Sequence, residues 1–404
     1  MFSVVIPTHD RLDLLKDAAE SVLRQNFADW ELVVFDNASS EDIAGYVASL
    51  CDPRVRYARS DAFLPVTDSW NSAIDLARGD YITFLGDDDG LTPGYFTEIA
   101  RVVREFKSPE VLYSAIFQFL HPGVAPWERG GYVADVKNAF FFADEHKPFR
   151  LSKDTIAEAV RGSLTLRRNF SFNIQAFVFS SAFLDRLRQD GPVFRSPFPD
   201  YYLANVALAN AATVVAIPAP MSIAGVSKAS FGYTLFNGLE EKGAAMLNSN
   251  LAQDPFYREV EKLILPGPLY NTNYLVTMKH VASYAESYAT CPINFERYRK
   301  LQTYTLIAAS RGRGWKETTA GRLLWSRLDS VEKTWASRVS ALLRIASAFR
   351  VYDRIVHPFM EKRVALYGFH PVTRMCDKGS FTRLSQVFDA LEAGKIGPHP
   401  TPAA

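Results

Sequence analysis

Short apolar runs alternate with helical apolar periodicity along the first hundred residues. Four runs rich in β-branched, apolar and aromatic residues have the pattern of buried strands: residues 2–6, 31–35, 54–57 and 81–85. Between the first two, apolar residues recur at helical spacing, at Leu12, Leu15, Ala19 and Val22. This βαβα alternation predicts an α/β fold with a largely parallel, mixed sheet covered by helices on both faces.

The pattern changes along the rest of the chain. Strand-like runs at 111–120, 172–180 and 214–217 surround one helical segment at 201–211, and helical periodicity dominates beyond residue 239. We therefore expect an α/β domain over residues 1–235, built from halves 1–108 and 109–235. A helical C-terminal region is expected over 236–404. Its end, from about residue 394, has alternate prolines and no apolar periodicity, which predicts a disordered tail.

Polar residues follow three of the predicted strands. They are Pro7-Thr8-His9-Asp10, Asp36-Asn37 and Asp87-Asp88-Asp89. Ligands of open α/β sheets bind at the carboxyl ends of strands, so these clusters are expected to meet. Three adjacent buried carboxylates repel one another and lose hydration, and a divalent cation holding a phosphate would offset that cost. The alternative for the three acids is a solvated turn.

Charge and cysteine content exclude several classes of protein. Lysine plus arginine (45) balances aspartate plus glutamate (44), which gives no electrostatic basis for binding nucleic acid. The three cysteines are widely spaced and fit neither a disulfide framework nor a metal site.

The N-terminus lacks a basic segment before its apolar run, and no apolar run reaches about 20 residues. A cytoplasmic protein is expected.

Three segments carry a family resemblance. Residues 4–11, 31–39 and 71–89, in this order and spacing, resemble family 2 glycosyltransferases of the GT-A fold. A weaker continuation is residues 198–203, which is similar to the acidic motif before an acceptor-side helix. The resemblance covers about residues 1–230. It implies a nucleotide-sugar half over 1–108 and an acceptor half over 109–235.

The resemblance also implies an activity and its residues. The family transfers a sugar from a nucleotide diphosphate to an acceptor hydroxyl, usually with inversion, and often with Mn²⁺ or Mg²⁺. Asp200 would be the general base, and Asp88 would bind the metal. The donor-binding positions would be Pro7, Thr8, His9, Asp10, Asp36, Asn37, Asn71 and Asp87.

Other interpretations stay open for several of these residues. His9 has the alternative of a packed loop histidine, and Asp36 that of a turn-forming residue. Asn71 has the alternative of a buried hydrogen-bond network, and Asp200 that of a helix N-cap.

Two departures from the family pattern bear on the site. Gly86 and Asn37 each stand where many relatives have another acid, and Asn37 can still hydrogen-bond a base or ribose. Residues 221–228 occupy the place where some relatives carry a metal-binding histidine, and no histidine falls there. A third protein ligand from that segment is therefore in doubt.

One C-terminal segment is amphipathic and basic. Apolar residues recur every three or four positions over residues 322–356, among basic residues that include Arg327, Lys333, Arg338, Arg344, Arg350 and Arg354. A long helix there could pack on the catalytic domain or on a second copy in a homodimer. Alternatively, it could make a peripheral contact with an anionic membrane, at the inner face if the protein is cytoplasmic.

The sequence thus predicts an inverting, metal-dependent glycosyltransferase that acts on a glycan or lipid-linked acceptor, in surface polysaccharide assembly. One alternative is a sugar nucleotidyltransferase, which normally needs a glycine-rich basic loop after the first strand; residues 7–11 do not form one. Another is a non-catalytic glycan-binding or scaffold protein on the same fold. A dehydrogenase and a P-loop enzyme are excluded because neither glycine motif is present.

Overall fold

A computed structural model describes most of the chain. It covers residues 1–398 except 126–128, 238, 248–250, 285–287, 289–290, 292, 350, 357–358 and 361–371. The chain forms two compact units. The first comprises Met1–Ile156, Ser171–Ser249 and Pro371–Ala404, and the second comprises Ala157–Phe170 and Asn250–His370.

The strands all belong to the first unit. They are β1 (Phe2–Thr8), β2 (Trp30–Asp36), β3 (Val55–Arg59), β4 (Tyr81–Phe84), β5 (Gly90–Leu91), β6 (Val111–Leu120), β7 (Tyr132–Lys137), β8 (Phe149–Arg150), β9 (Phe177–Ser180), β10 (Val214–Val226) and β11 (Val372–Lys378).

Helices lie in both units. They are α1 (Leu12–Leu23), α2 (Ile43–Ser49), α3 (Val66–Ile74), α4 (Tyr95–Glu105), α5 (Lys153–Leu164), α6 (Ser181–Arg188), α7 (Pro199–Asn210), α8 (Phe231–Phe236), α9 (Glu240–Leu247), α10 (Pro255–Val260), α11 (Leu269–Tyr284), α12 (Phe295–Ala309), α13 (Thr319–Arg327), α14 (Ser330–Ala348) and α15 (Leu384–Glu392).

The sheet is mixed, and its N-terminal strands are parallel. Its main path runs β11-β7-β6-β9-β4-β1-β2-β3, and β10 pairs with β5, β6 and β8. Strands β3, β2, β1 and β4 are mutually parallel, whereas β9 joins β4 antiparallel. The carboxyl ends of β1, β2 and β4 therefore share one edge. The expected α/β class, with a mixed sheet and a helical C-terminal extension, is confirmed.

The central strands are buried on both faces, which explains their unbroken apolar sequences. Every residue of β1 and β2 is buried. Val4 and Ile6 share one core with Leu32 of β2 and with Leu15 and Val22 of α1. A strand with no solvent-facing side needs no polar alternation.

The end of the chain departs from the expected division at residue 235. Strand β11 pairs antiparallel with β7, from Val372 opposite Lys137, and Leu384 of α15 shares a core cluster with Phe117 and Phe119 of β6. The described part of 371–404 thus belongs to the first unit, not to a helical C-terminal region. Within the predicted tail, Ile396 is buried, and residues 399–404 lie outside the described residues.

The second unit is helical, and it corrects the expectation of one long helix over 322–356. Leu328 ends α13, and Asp329 begins α14 with a capping box that it forms with Glu332. Leu324 and Leu343 from these two helices share a core with Ile307 of α12. In the described part of the chain, no helix has the length and apolar character that crossing a bilayer requires.

We predict that Leu384→Ala destabilises the first unit, because Leu384 is buried in the core that supports β6. The free energy of unfolding should fall by about 2–5 kcal/mol, measured by chemical denaturation. The matched control is Leu263→Ala, at a side chain that is 44% exposed. A loss below about 0.5 kcal/mol in Leu384→Ala, the size expected of the control, would exclude the C-terminal segment from this core.

Candidate functional site

Three loops meet at the shared edge of β1, β2 and β4. The backbone N–H of Asn37, after β2, donates to the carbonyl of Thr8 at the end of β1 over 2.8 Å. The N–H of Leu85, after β4, donates to the carbonyl of Val5 over 2.9 Å. The polar clusters predicted from the sequence are therefore brought together.

Asp89 closes the turn between β4 and β5. Its Oδ2 accepts the N–H of Gly86 over 2.8 Å, and its Oδ1 accepts the N–H of Gly225 over 2.9 Å and the Gln175 amide over 3.1 Å. Burial and the adjacent Asp88 raise the pKa of Asp89 well above its usual range, although the Gly225 and Gly86 amides oppose this. Asp89 is thus a structural residue of the turn.

Asp88 lies against the end of β10. Its Oδ2 accepts the N–H of Ser227 over 3.1 Å, and we find no hydrogen bond to its Oδ1 within the described residues. A Cβ on Gly225 would stand 1.6 Å from the Asp88 carbonyl oxygen, so only glycine permits this approach. Asp88 therefore keeps one carboxylate oxygen available beside the turn.

Asp87 is paired with residues that follow β1. Thr8 Oγ1 donates to Asp87 Oδ2 over 2.9 Å, and Arg11 Nη1 lies 3.1 Å from Oδ1. Burial nevertheless leaves the pKa of Asp87 raised, while Asp87 and Asp88 raise the pKa of Arg11. Arg11 Nη2 also donates to the carbonyl of Ala229 over 2.6 Å, which connects the acidic turn to the segment after β10.

These contacts correct one step of the sequence argument. The three carboxylates were expected to need a cation because they would otherwise be unpaired. Arg11, Thr8 and the backbone N–H groups of residues 86, 225 and 227 already supply donors. The turn can therefore form without a metal. The case for a bound metal depends on the chemistry of the available ligands and not on a need to stabilise the turn.

Asp36 supports the site from within. Its Oδ1 accepts the Ser39 N–H over 2.7 Å, and its Oδ2 accepts the Tyr57 hydroxyl over 2.7 Å and an Arg59 N–H. Burial alone would raise the pKa of Asp36, but the hydrogen bonds from Ser39 and Tyr57 and the charge of Arg59 lower it. Both carboxylate oxygens accept hydrogen bonds from the protein, which gives Asp36 a structural role. The contact with the nucleotide-sugar donor that the sequence predicted stays a prediction.

A cleft of about 180 Å³ lies over this edge. It is lined by Pro7, Thr8, His9, Arg11, Asn37, Phe63, Val66, Ser69, Trp70, Asp87 and Met246. Five of the expected donor-binding residues are among them: Pro7, Thr8, His9, Asn37 and Asp87. Asp10 does not line the cleft. Its carboxylate accepts the Ser40 and Glu41 N–H groups and so joins two loops.

His9 and Phe63 form an aromatic wall of the cleft. His9 Nδ1 is 2.8 Å from the Asn37 carbonyl oxygen, and its ring centroid is 4.6 Å from that of Phe63. The Asn37 amide binds both the N–H and the carbonyl of Leu64, which fixes the loop carrying Phe63. Phe63 is 47% exposed, so a planar ligand can reach its face.

Sequence reasoning missed six of the eleven lining residues, and two of these six bear on the chemistry of the cleft. Arg11 belongs to the quoted segment 4–11, and its place after the first strand was the available signal. Phe63 is a single aromatic residue in a loop, where no periodicity marks it. Its position between β3 and α3 becomes informative only once the loop is seen to fold over His9.

Asn71 does not line the cleft. Its Nδ2 donates to the carbonyls of Thr67 and Phe194, and its Oδ1 accepts the N–H of Phe194, each over 3.0 Å. The amide is thus used entirely on backbone groups. This arrangement is the buried network that was the alternative for Asn71, and its donor-binding role stays a prediction.

Asp200 lies in the first turn of α7, half-buried, and Phe198 holds the N-cap position. The N-cap interpretation of Asp200 is therefore wrong. The segment before α7 is fastened to α3, whose Val66, Ser69 and Trp70 line the cleft. Ser196 Oγ is 2.9 Å from Thr67 Oγ1, and Phe194 packs on Trp70 with ring centroids 5.2 Å apart. Asp200 itself is not among the lining residues.

The residues present fit a metal that is held mainly by its ligand. Among the described residues, no cluster of three or more histidine, cysteine, aspartate or glutamate side chains could hold an ion alone. Mg²⁺ commonly uses one or two carboxylates together with substrate phosphates and water. The available Oδ1 of Asp88 fits that role, whereas Gly225 and Ser227 contribute N–H donors, which cannot bind a cation.

Comparisons with known proteins find similarity in the N-terminal part of the chain. Residues 3–172 match the model of a family described as "Glycosyl transferase family 2". A colanic acid biosynthesis glycosyl transferase of Escherichia coli (strain K12) is 40% identical over 116 residues, which is 28% of this chain and 42% of that protein.

Two further proteins are similar. The GalNAc(5)-diNAcBac-PP-undecaprenol beta-1,3-glucosyltransferase of Campylobacter jejuni is 34% identical over 106 residues, 26% of this chain and 34% of that protein. The chain thus spans less than half the length of either relative. The crystal structure of S. aureus TarS 1–349 in complex with UDP-GlcNAc covers 76% of this chain and 87% of its own, with 14% identity and a TM-score of 0.46.

We predict that Asp36→Asn destabilises the protein at neutral pH by about 1–3 kcal/mol, because the amide cannot accept all three donors. The native pKa of Asp36 is lowered, so its contribution is complete above the unfolded-state pKa and is lost as pH falls through the native pKa. The stability difference from the unmodified protein should therefore shrink below about pH 4.

Chemical denaturation at several pH values measures this difference. Asp13→Asn is the control, since that side chain is 93% exposed. A difference that stays constant from neutral pH into acid would show that the Asp36 carboxylate is not used as described.

Proposed function

We propose that this chain, whose residues 3–172 match the model of glycosyl transferase family 2, transfers a sugar from a nucleoside diphosphate donor to an acceptor hydroxyl. The observation that carries the proposal is the acidic turn after β4. It places Asp87 in the lining of the cleft and Asp88, with an available oxygen, next to it. The family match supports a glycosyltransferase over the nucleotidyltransferase and scaffold alternatives.

The cleft offers matched surfaces to the two ends of a nucleotide. The Phe63 face and His9 ring provide a stacking wall for a planar base. Arg11 and Thr8 lie on the side of the acidic turn, where a diphosphate would find a guanidinium and a hydroxyl. Pro7 and Asn37 also line the cleft.

Asp88 would hold a divalent ion, Mn²⁺ or Mg²⁺, on the diphosphate. Such an ion offsets the negative charge that develops as a phosphate group leaves. The protein's own part is to present one carboxylate oxygen in a fixed direction. The Ser227 N–H and the close approach of Gly225 hold Asp88 in that orientation.

Asp200 would act as general base toward the acceptor. A hydroxyl becomes a good nucleophile only as its proton is removed, and a carboxylate within hydrogen-bond reach can take it. The attachment of residues 194–196 to α3 supports this role, because it fixes the start of α7 relative to a wall of the cleft. A single base acting opposite the leaving group gives inversion at the anomeric carbon.

The acceptor belongs to the proposal as well. One relative is named for a step in colanic acid biosynthesis, and another for transfer to a diphosphate-linked undecaprenol glycan. These names support a glycan or lipid-linked acceptor in the assembly of a surface polysaccharide. The cytoplasmic location expected from the sequence fits a donor of this kind and stays a prediction.

We predict that a nucleoside diphosphate raises the melting temperature of the protein only when Mn²⁺ or Mg²⁺ is present. Asp88→Ala should abolish that rise, because it removes the carboxylate oxygen proposed for the ion. A thermal-shift panel of nucleoside diphosphates, with and without metal, measures both effects.

The matched control for this experiment is Asp13→Ala, which removes an exposed acid from α1 of the same unit. It should keep the metal-dependent rise. An unchanged metal-dependent rise in Asp88→Ala would move the ion to other residues and contradict the proposed site.

Asp200→Asn should preserve nucleotide binding and lower transfer by about 10²- to 10⁴-fold, since the amide cannot accept the acceptor's proton. Release of nucleoside diphosphate from a nucleotide sugar, with a panel of nitrophenyl glycosides as acceptors, measures the rate. Asp185→Asn is the control at a side chain that is 68% exposed. Equal activity of Asp200→Asn and the control would assign the base to another residue.

A further inference from the structure

Helix α14 presents an apolar stripe to solvent. Phe349 at its C-cap is 75% exposed, Ile345 57%, Leu342 41% and Val331, near its start, 76%. Arg338, also exposed, lies in the same row. At about 3.6 residues per turn, these five positions fall within about 60° of one another.

A different face of α14, about 110° around the helix from the stripe, is the buried one. Ala336, Val339, Leu343 and Ala346 pack into the core of the second unit. The stripe is therefore not a misplaced part of that core, because the helix already buries a complete apolar face. A helix of a soluble domain normally shows polar residues on its other side.

Exposed apolar side chains are concentrated around this helix. Seven of the fourteen large hydrophobic side chains that are exposed in the described part of the chain lie between residues 323 and 359. Single exposed apolar residues are ordinary, but such a concentration indicates a binding surface. Leu323 on α13 and Ile355 are among these exposed side chains.

Beyond its first turn, the charge of the same helix has one sign. From residue 333 to residue 349 the sequence contains Lys333, Arg338 and Arg344 and no acidic residue. Arg338 lies within the stripe, and Arg344 is exposed about 100° around the helix from the edge of the stripe. A second copy of this face would bring like charges together, whereas an anionic surface would complement them.

We infer that α14 docks the protein on an anionic lipid surface. Leu342, Ile345 and Phe349 enter the boundary between head groups and acyl chains, and Arg338 and Arg344 reach the phosphates. The apolar contact and the charge attraction act together, so high salt weakens the association. This inference does not depend on the transfer reaction.

The test is co-sedimentation of the full-length protein with lipid vesicles. We expect binding to vesicles of phosphatidylcholine mixed equally with phosphatidylglycerol, and little to phosphatidylcholine alone. The double substitution Ile345→Glu with Phe349→Glu should lower the bound fraction at least about tenfold. Val372→Glu is the matched control, since that side chain is 45% exposed and lies in the first unit.

A second variant keeps the test decisive if the double variant fails to fold. Arg338→Gln with Arg344→Gln leaves the apolar stripe intact and should remove the preference for anionic vesicles. Failure of the unmodified protein to bind either vesicle overturns the inference, and so does binding to the anionic vesicles by both double variants that equals that of the unmodified protein. So does a dimer in analytical ultracentrifugation that the Ile345→Glu, Phe349→Glu variant dissociates without any lipid binding, because the occupant is then a second copy.

Discussion

Backbone amides from the end of β10 hold the carboxylates that follow β4, and the rest of the site depends on this contact. The N–H groups of Gly225 and Ser227 bind Asp89 and Asp88, although more than 130 residues separate the two segments. Buried carboxylates are stable only where donors meet them. The course of β10 along β6, and its short pairing with β5, therefore determine where the acids point.

Two glycines make that arrangement possible. A Cβ on Gly225 would collide with the Asp88 carbonyl, and one on Gly86 would stand 2.9 Å from an oxygen of Asp89. The missing acid at Gly86, noted as a departure from the family pattern, thus has a steric basis in this chain. With Arg11 bound to both Asp87 and the Ala229 carbonyl, the turn, the first loop and the segment after β10 form one connected group.

The sequence predicted the part of the fold that local pattern controls. Buried apolar runs located β1, β2 and β4, and their parallel order placed Thr8, Asn37 and Asp87 at one edge. It could not predict Arg11 as the partner of Asp87 or residues 225–227 as donors, because these pairs depend on long-range topology. For the same reason, Asp36 and Asn71 were assigned to ligand contacts, although their polar atoms bind neighbouring loops.

The C-terminal part shows a similar limit. Helical periodicity over 322–356 was real, but the capping box at Asp329 divides the segment into two helices. Residues 372–378 pair at the edge of the sheet. Their sequence contains no signal that distinguishes a strand paired in this sheet from an isolated strand. Pattern predicts which elements form, while their partners depend on contacts between distant segments.

The central claim is that the acidic turn binds a metal and a nucleoside diphosphate in the cleft beside it. The most direct test is a crystal structure with Mn²⁺ and a nucleoside diphosphate, using the anomalous signal of manganese. We predict a peak about 2.1 Å from an Asp88 carboxylate oxygen, with the base against Phe63. A manganese peak remote from Asp88, or a nucleotide bound outside the cleft, would contradict the account.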